Sequence, residues 1–146
     1  MIENELILSL TKRAFQQYAD ELLPSSALTE TIQTIEDERE RGVQYIVDSK
    51  QNPRGIVRIE TKGESLYFFR LAVIPEARQQ NIATDLLRRI EEEATVRQLH
   101  SIHCHVRAHT IDNISFYKKR GFIITKEWEE RRGNDRLRIV AMEKRI

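Results

Sequence analysis

Cysteine, proline and glycine are scarce in this chain, and each scarcity excludes something. A single cysteine, Cys104, rules out an intrachain disulfide and fits a reducing compartment. Five glycines and three prolines leave no obvious linker, repeat or low-complexity tract, so residues 1–146 are expected to fold as one domain with a core of ordinary size. Long apolar runs are missing too. None approaches the roughly 20 residues that span a bilayer, and residues 1–10 carry Glu3 and Glu5 with no cationic leader. Neither sign of charge dominates: 24 Lys+Arg face 23 Asp+Glu, a net charge of +1. Without a basic surface, neither nucleic acid nor a membrane is an expected partner, and the chain reads as soluble and cytoplasmic.

What is present centres on residues 66–87. From Leu66 to Ile74 both alternating sets are apolar, with Tyr67, Phe69, Leu71 and Val73 on one side and Leu66, Phe68 and Ala72 on the other. That pattern predicts a strand buried on both faces. Pro75 ends it, because proline gives no N–H to a ladder. Ile82, Leu86, Leu87, Ile90 and Ala94 then recur at helical spacing. A helix that starts near Ile82 offers unpaired N–H groups and the positive end of its dipole, with Arg78 at the head of the turn and a small residue, Ala83, where a ligand would approach. A phosphate or pyrophosphate suits such a turn; an ordinary strand-turn-helix with a solvated arginine accounts for the same spacing.

The remaining elements follow in order. Leu6, Leu10, Ala14, Tyr18 and Leu22 predict a helix over 5–23 that Pro24 ends. After a turn at Ser25-Ser26, Thr29 or Thr31 caps a second helix that reaches Arg41 and stops at Gly42. Strands are expected over 43–47 and 55–60, with a turn at Lys62-Gly63 before the central strand. Residues 101–106 form a strand, expected parallel and adjacent to the central one because a helix separates them. A short helix over 112–120 ends at Gly121, a strand resumes at Phe122, and Leu137–Met142 closes a hairpin turning over 131–135.

Two of these segments resemble a known family. Arg78-Gln-Gln-Asn-Ile-Ala83, preceded by Leu71-Ala-Val-Ile-Pro75, is similar to the R/Q-x-x-G-x-G/A turn and strand lead-in of GNAT-superfamily N-acetyltransferases. Asn113-Ile-Ser-Phe-Tyr-Lys-Lys-Arg-Gly-Phe122 resembles their second signature, N-x-x-x-[FY]-Y-x-x-x-G-F. The resemblance covers nearly the whole chain, although only these two segments are specific. It implies an α/β (α+β) GNAT fold, a mixed sheet of about six strands flanked by about four helices, with the family's first strand absent. It also implies acetyl-CoA as co-substrate and acetyl transfer to a primary amine by direct attack in a ternary complex. Residues Arg78, Gln79, Gln80, Asn81, Ile82, Ala83 and Thr84 would wrap the pyrophosphate, and the backbone of Leu71, Ala72 and Val73 would meet the pantetheine arm. Asn113, Phe116 and Tyr117 would complete the cofactor side, with Tyr117 the general acid for the departing thiolate. One departure stands out: Asn81 occupies the position of the first motif glycine. Asparagine tolerates left-handed φ better than other non-glycine residues, and its side chain could crowd the phosphates or bond to them.

The acceptor side is less legible. Glu60 and Glu64 are weak choices for a general base. Arg58, Arg70 and Tyr67 are weak choices for acceptor contact; the arginines either bind an acidic substrate group or pair with Glu60 or Glu64, since a charge inside a sheet is costly unless paired. Residues 23–28 are a further weak choice by the family's pattern. His103 and His105 share a strand face and could in principle bite a metal, but no third ligand follows at a familiar spacing, so no metal is expected. The acceptor is a small-molecule or peptide amine, and the chain a monomer or homodimer. A reading of a different class is a catalytically silent CoA-binding or protein-interaction module on the same fold.

Overall fold

A computed structural model describes residues 2–16 and 25–146. Its elements are helices α1 (Asn4–Phe15), α2 (Ile32–Arg41), α3 (Ile82–Val96) and α4 (Ile111–Lys119), with strands β1 (Gln44–Val47), β2 (Gly55–Lys62), β3 (Ser65–Val73), β4 (Ser101–Arg107), β5 (Ile123–Arg132) and β6 (Asp135–Arg145). Six strands form one mixed sheet in the order β1-β2-β3-β4-β6-β5, the expected fold. No strand precedes α1 among the described residues. No helix among them is long and apolar enough to cross a membrane. The expected first helix is realised over Asn4–Phe15; its continuation toward Pro24 lies outside the described residues.

The chain divides into two compact units, Met1–Glu60 with Phe68–Ile90 and Thr61–Tyr67 with Glu91–Ile146. In the first unit, α1 turns Ile7, Leu10 and Ala14 inward. Helix α2 starts at Thr31, whose N–H donates to Thr34 Oγ1 at 3.1 Å, and stops where Gly42 takes φ 98°, a left-handed value that glycine adopts without cost. Ile7, Ile35, Ile56, Phe68, Leu86 and Ile90 have no exposed surface and form this unit's core.

Amid these apolar residues Arg58, in the middle of β2, is 0% exposed. Its two terminal nitrogens fork onto Glu30 at 2.7 and 2.9 Å, Nη1 also reaches Glu38 Oε2 at 3.0 Å, and Nη2 donates to Thr11 Oγ1 at 3.0 Å. Tyr45 donates to Glu38 Oε1 at 2.7 Å. Burial opposes the charge on Arg58, but the bond to Glu30 and the fields of Glu30 and Glu38 outweigh it and hold the guanidinium above its usual pKa. Arg58 therefore pairs with neither Glu60 nor Glu64, and no part of it faces an acidic substrate. The reason is depth: β2 is buried from Gly55 through Ile59, so Arg58 meets the carboxylates flanking α2, whereas Glu60 lies farther out and accepts from Arg41 at 3.0 and 3.2 Å.

The expectation of a central strand buried on both faces is corrected by β3. Leu66 and Phe68 are buried, but Tyr67, Phe69, Leu71 and Val73 are half-buried, as are Arg70 and Ala72, so only the Leu66–Phe68 part of one face is fully covered. Arg70 takes φ 55°, which breaks the alternation beyond Phe69.

In the second unit, β3 pairs with β4 in parallel over Ser65–Ser101, Leu66–Ile102 and Tyr67–His103, the expected neighbourhood and direction. Strands β4 and β6 run antiparallel from Ser101–Arg145 to Arg107–Ile139, and β5 closes on β6 through a turn in which Gly133 takes φ 64°. Leu66, Ile102 and Met142 are fully buried. Helix α4 ends before Gly121, at φ 95°. Strand β5 ends the sheet and is exposed apart from Trp128; its charged residues from Lys126 to Arg132 suit an edge that must not recruit another strand.

Removing Arg58 leaves two buried carboxylates without their partner. Arg58→Ala is expected to cost about 3–5 kcal/mol of folding stability, measured by urea denaturation, while Glu30→Gln with Glu38→Gln in that background recovers part of the loss; a cost below about 1 kcal/mol would refute the role given to this network.

Candidate active site

The segment expected to hold an anion lies in the first unit. Strand β3 ends at Val73, Pro75–Ala77 forms a 3-10 turn, and α3 begins at Ile82. Between them Gln79 and Asn81 take φ 65° and 61°. The position where the family pattern has glycine is thus left-handed, and asparagine fills it at modest cost. Asp85 N–H donates to Asn81 O at 3.0 Å, the first bond of the α3 ladder. The amides of Ile82, Ala83 and Thr84 precede that bond, at the positive end of a helix of 15 residues, where an anion is stabilised.

Close packing seats this helix start. A Cβ on Gly55 would lie 2.6 Å from Ile82 Cγ2 and 3.2 Å from Leu86 Cδ1, so only glycine at the head of β2 admits α3 at this distance. Arg89 adds a polar tether, donating to the carbonyls of Val47 and Asp48 at 2.8 and 3.0 Å.

Arg78 is placed differently from the expected cation at the head of the turn. Its Nη2 donates at 3.2 Å to both Ala14 O, near the end of α1, and Val73 O, at the end of β3. The side chain braces the turn against α1 and the end of β3. Gln80 is held by Arg54, whose Nη1 donates to its Oε1 at 2.8 Å. Arg54 escaped sequence reasoning because it sits in an irregular loop with no motif; the one signal was Asp48, seven residues before Gly55, in the hairpin position where a carboxylate accepts loop N–H groups. Asp48 Oδ1 accepts from Arg54 and Gly55 N–H, both at 2.8 Å.

Arg70 is paired, as one of its two readings required, but with Glu30 at 3.2 Å rather than Glu60 or Glu64; it also donates to Ser26 Oγ at 2.7 Å. Glu30 thus bridges Arg58 and Arg70, so these charges are balanced internally. Glu60 is engaged by Arg41 at 3.0 Å. Of the weak acceptor-side segment 23–28, residues 25–28 are described, and Ser26–Thr29 forms a 3-10 turn.

The second unit carries the other signature. Tyr117 lies on α4, half-buried, its ring edge-on to Phe116 and Phe122 with centroids 5.3 Å from each. Its carbonyl accepts from Arg120 and Phe122 N–H at 3.0 and 3.1 Å, which closes the helix. Arg120 lies 3.7 Å over the Phe116 ring, and Asn113 is exposed in the first turn. Glu64 is exposed in the turn before β3.

Tyr67 sits in a cluster with His103 and His105, ring centroids at 5.1 and 5.0 Å, and Lys62 Nζ lies 4.4 Å from its ring. The two imidazoles are 6.2 Å apart; Ser65 Oγ is 2.6 Å from His103 Nδ1, and Trp128 stands edge-on to His105 at 4.9 Å. Among the described residues no group of three His, Cys, Asp or Glu side chains could hold a metal. Cys104 faces the opposite way and is buried, which pushes its thiol well above the usual range and makes it a poor nucleophile.

The profile of the acetyltransferase (GNAT) family matches residues 5–122, and the chain belongs to that family. No curated protein matches the sequence significantly. Solved structures share the fold at low identity. The ribosomal-protein-S18-alanine N-acetyltransferase of Escherichia coli is 16% identical, with TM-score 0.76 over 98% of this chain and 87% of that one. The ribosomal-protein-alanine N-acetyltransferase of Brucella melitensis is 16% identical, with TM-score 0.77 over 99% and 97%. The PaiA N-acetyltransferase of Thermoplasma acidophilum, solved with coenzyme A, is 15% identical, with TM-score 0.76 over 98% and 92%.

Two outcomes follow from this geometry. Asn81→Gly is expected to keep stability within about 1 kcal/mol, whereas Asn81→Val, β-branched at φ 61°, loses about 1–3 kcal/mol in urea denaturation; equal effects would refute a left-handed turn. Burial holds His103 and His105 below their usual pKa, assisted at His103 by His105 and at both by Lys62. The unfolded chain therefore binds protons first as pH falls, so stability declines below the usual histidine value of 6.5. His103→Gln with His105→Gln should flatten that decline in denaturation series between about pH 7.5 and 5.5; an unchanged slope would place its origin elsewhere.

Proposed function

We propose that this chain, 1–146 as one catalytic domain, transfers an acetyl group from acetyl-CoA to a primary amine of a small molecule or peptide. The observation that carries this reading is the left-handed turn at Gln79 and Asn81 leading into the α3 amides, in a chain of the GNAT family. The turn and α3 start, Arg78 to Thr84, take the diphosphate, and the half-buried stretch Leu71, Ala72 and Val73 offers backbone groups to the pantetheine arm. Asn113, Phe116 and Tyr117 line the thiol end by the family's second signature.

In the mechanism the amine attacks the thioester carbonyl directly, the C–N bond forms as the C–S bond breaks, and Tyr117 O–H protonates the departing thiolate. The amine arrives neutral or gives its first proton to solvent; the proton shed as the amide forms leaves through water and restores the Tyr117 phenol, since Glu60 is tied to Arg41. That engagement is also what favours the second reading, a CoA-binding module without turnover. Acceptors worth testing include an alanine of a ribosomal protein and spermidine, each named for a protein of this fold.

Calorimetry with CoA should show one saturable site on the folded protein, and no binding would refute the assignment. Tyr117→Phe should lower turnover about 10- to 100-fold with CoA affinity nearly unchanged; full turnover would remove Tyr117 from the mechanism. CoA binding with no thiol release across the amine panel favours the silent module.

A further inference from the structure

The side chain of Arg78 is directed to the carbonyls of Ala14 and Val73, yet a guanidinium does stand at the turn. It comes from the β1–β2 loop. Arg54 Nη1 donates to Gln80 Oε1 at 2.8 Å, and its Nε lies 3.5 Å from Asp48 Oδ2. We propose that Arg54 is a diphosphate-binding residue of the cofactor turn, holding Gln80 with one amino group and presenting the outer edge of its guanidinium to the anion. The inference rests on the acetyl-CoA reading above and adds to it a residue outside both family signatures.

Three observations support it. First, the backbone of Arg54 is fixed to both sides of the turn's base: its carbonyl accepts from Ile74 N–H at 2.9 Å, immediately before Pro75, and its N–H donates to Asp48 Oδ1 at 2.8 Å. Asp48, with a side chain only 6% exposed, is held in turn because Arg89, two turns into α3, binds its carbonyl, so the loop is hydrogen-bonded to that helix as well. Second, the Arg54 side chain is 37% exposed, so its outer edge meets solvent where the turn does. A guanidinium offers five donors in a plane, and Gln80 with Asp48 engages only part of that fork. Third, the bond fixes the orientation of the Gln80 amide. With Oε1 accepting from Arg54, the amide nitrogen remains a donor in a turn that must bind an acceptor.

The chemistry distinguishes this role from a structural one. A residue that contacts the diphosphate affects every ligand that carries one and leaves the pantetheine end untouched. Calorimetry should be run with CoA and with ADP on the wild type, Arg54→Ala, Arg54→Lys and Gln80→Ala, with thermal midpoints recorded for each. Expected are a weakening of both ligands by about tenfold in Arg54→Ala, an intermediate loss of about threefold in Arg54→Lys, which keeps charge without the fork, and midpoints close to wild type. In Arg54→Ala the KM for acetyl-CoA rises with kcat retained, while kcat/KM for acetyl-pantetheine is unchanged. CoA binding by Arg54→Ala within about twofold of a binding-competent wild type overturns this proposal alone. So does an Arg54→Lys loss equal to that of alanine together with a lowered midpoint, which would mark a folding role. A wild type that binds no CoA overturns the acetyltransferase reading and this proposal with it.

Discussion

A guanidinium removed from water constrains most of the first unit. Arg58 could not be buried alone: the cost of desolvating it is several kcal/mol, and it is met by a fork onto Glu30, bonds to Glu38 and a hydroxyl from Thr11. Those partners come from α1, from the segment before α2 and from α2 itself, so satisfying one charge on β2 fixes where two helices lie. Nε of Arg58 has no hydrogen-bond partner among the described residues, and part of the penalty therefore persists. Replacement by an apolar residue of similar volume could match its stability, but would leave the helices free to choose another seat. The network selects an arrangement more than it stabilises one.

The selection reaches the turn through Glu30. Its carboxylate serves Arg58 and also Arg70, so β3 is tied to the segment that precedes α2. Farther along β3, Arg78 ties the turn back to Ala14 of α1. Helix α1 is thus bonded to β2 through Thr11 and to the turn through the Ala14 carbonyl, and the position of the α3 start follows from these polar links together with the apolar contact of Ile82 at Gly55.

Much of this was legible in the sequence, for identifiable reasons. Periodicity located α2, α3 and the strands, because burial on one stripe writes itself into residue order. Gly42 and Gly121 marked helix ends because their backbones are left-handed. The turn was legible because Asn81 belongs to the small set of residues that accept φ 61°. The partners of charged side chains were not. Glu60 is two residues from Arg58 in sequence, while Glu30 and Glu38 are 28 and 20 away, and only the chain's path shows that the distant pair is the near one. The half-open face of β3 escaped for a similar reason: Tyr67, Phe69, Leu71 and Val73 are apolar enough to read as buried, and composition cannot distinguish a covered face from one that borders a ligand.

Strain completes the account. Three non-glycine residues with left-handed φ, Arg70, Gln79 and Asn81, fall within the strand and turn assigned to the cofactor. Each costs on the order of 1 kcal/mol relative to an extended or helical residue, more where the side chain is long. Such conformations persist only where surrounding bonds over-determine them, and here the bonds can be named. Arg70 is held by Glu30 and Ser26, and the turn by Arg78 through the carbonyls of Ala14 and Val73. A glycine-rich turn reaches the same backbone without strain but loses more entropy when it orders around a ligand. This chain meets that cost during folding, with Asn81 in place of glycine, so the turn's backbone is fixed in the folded chain.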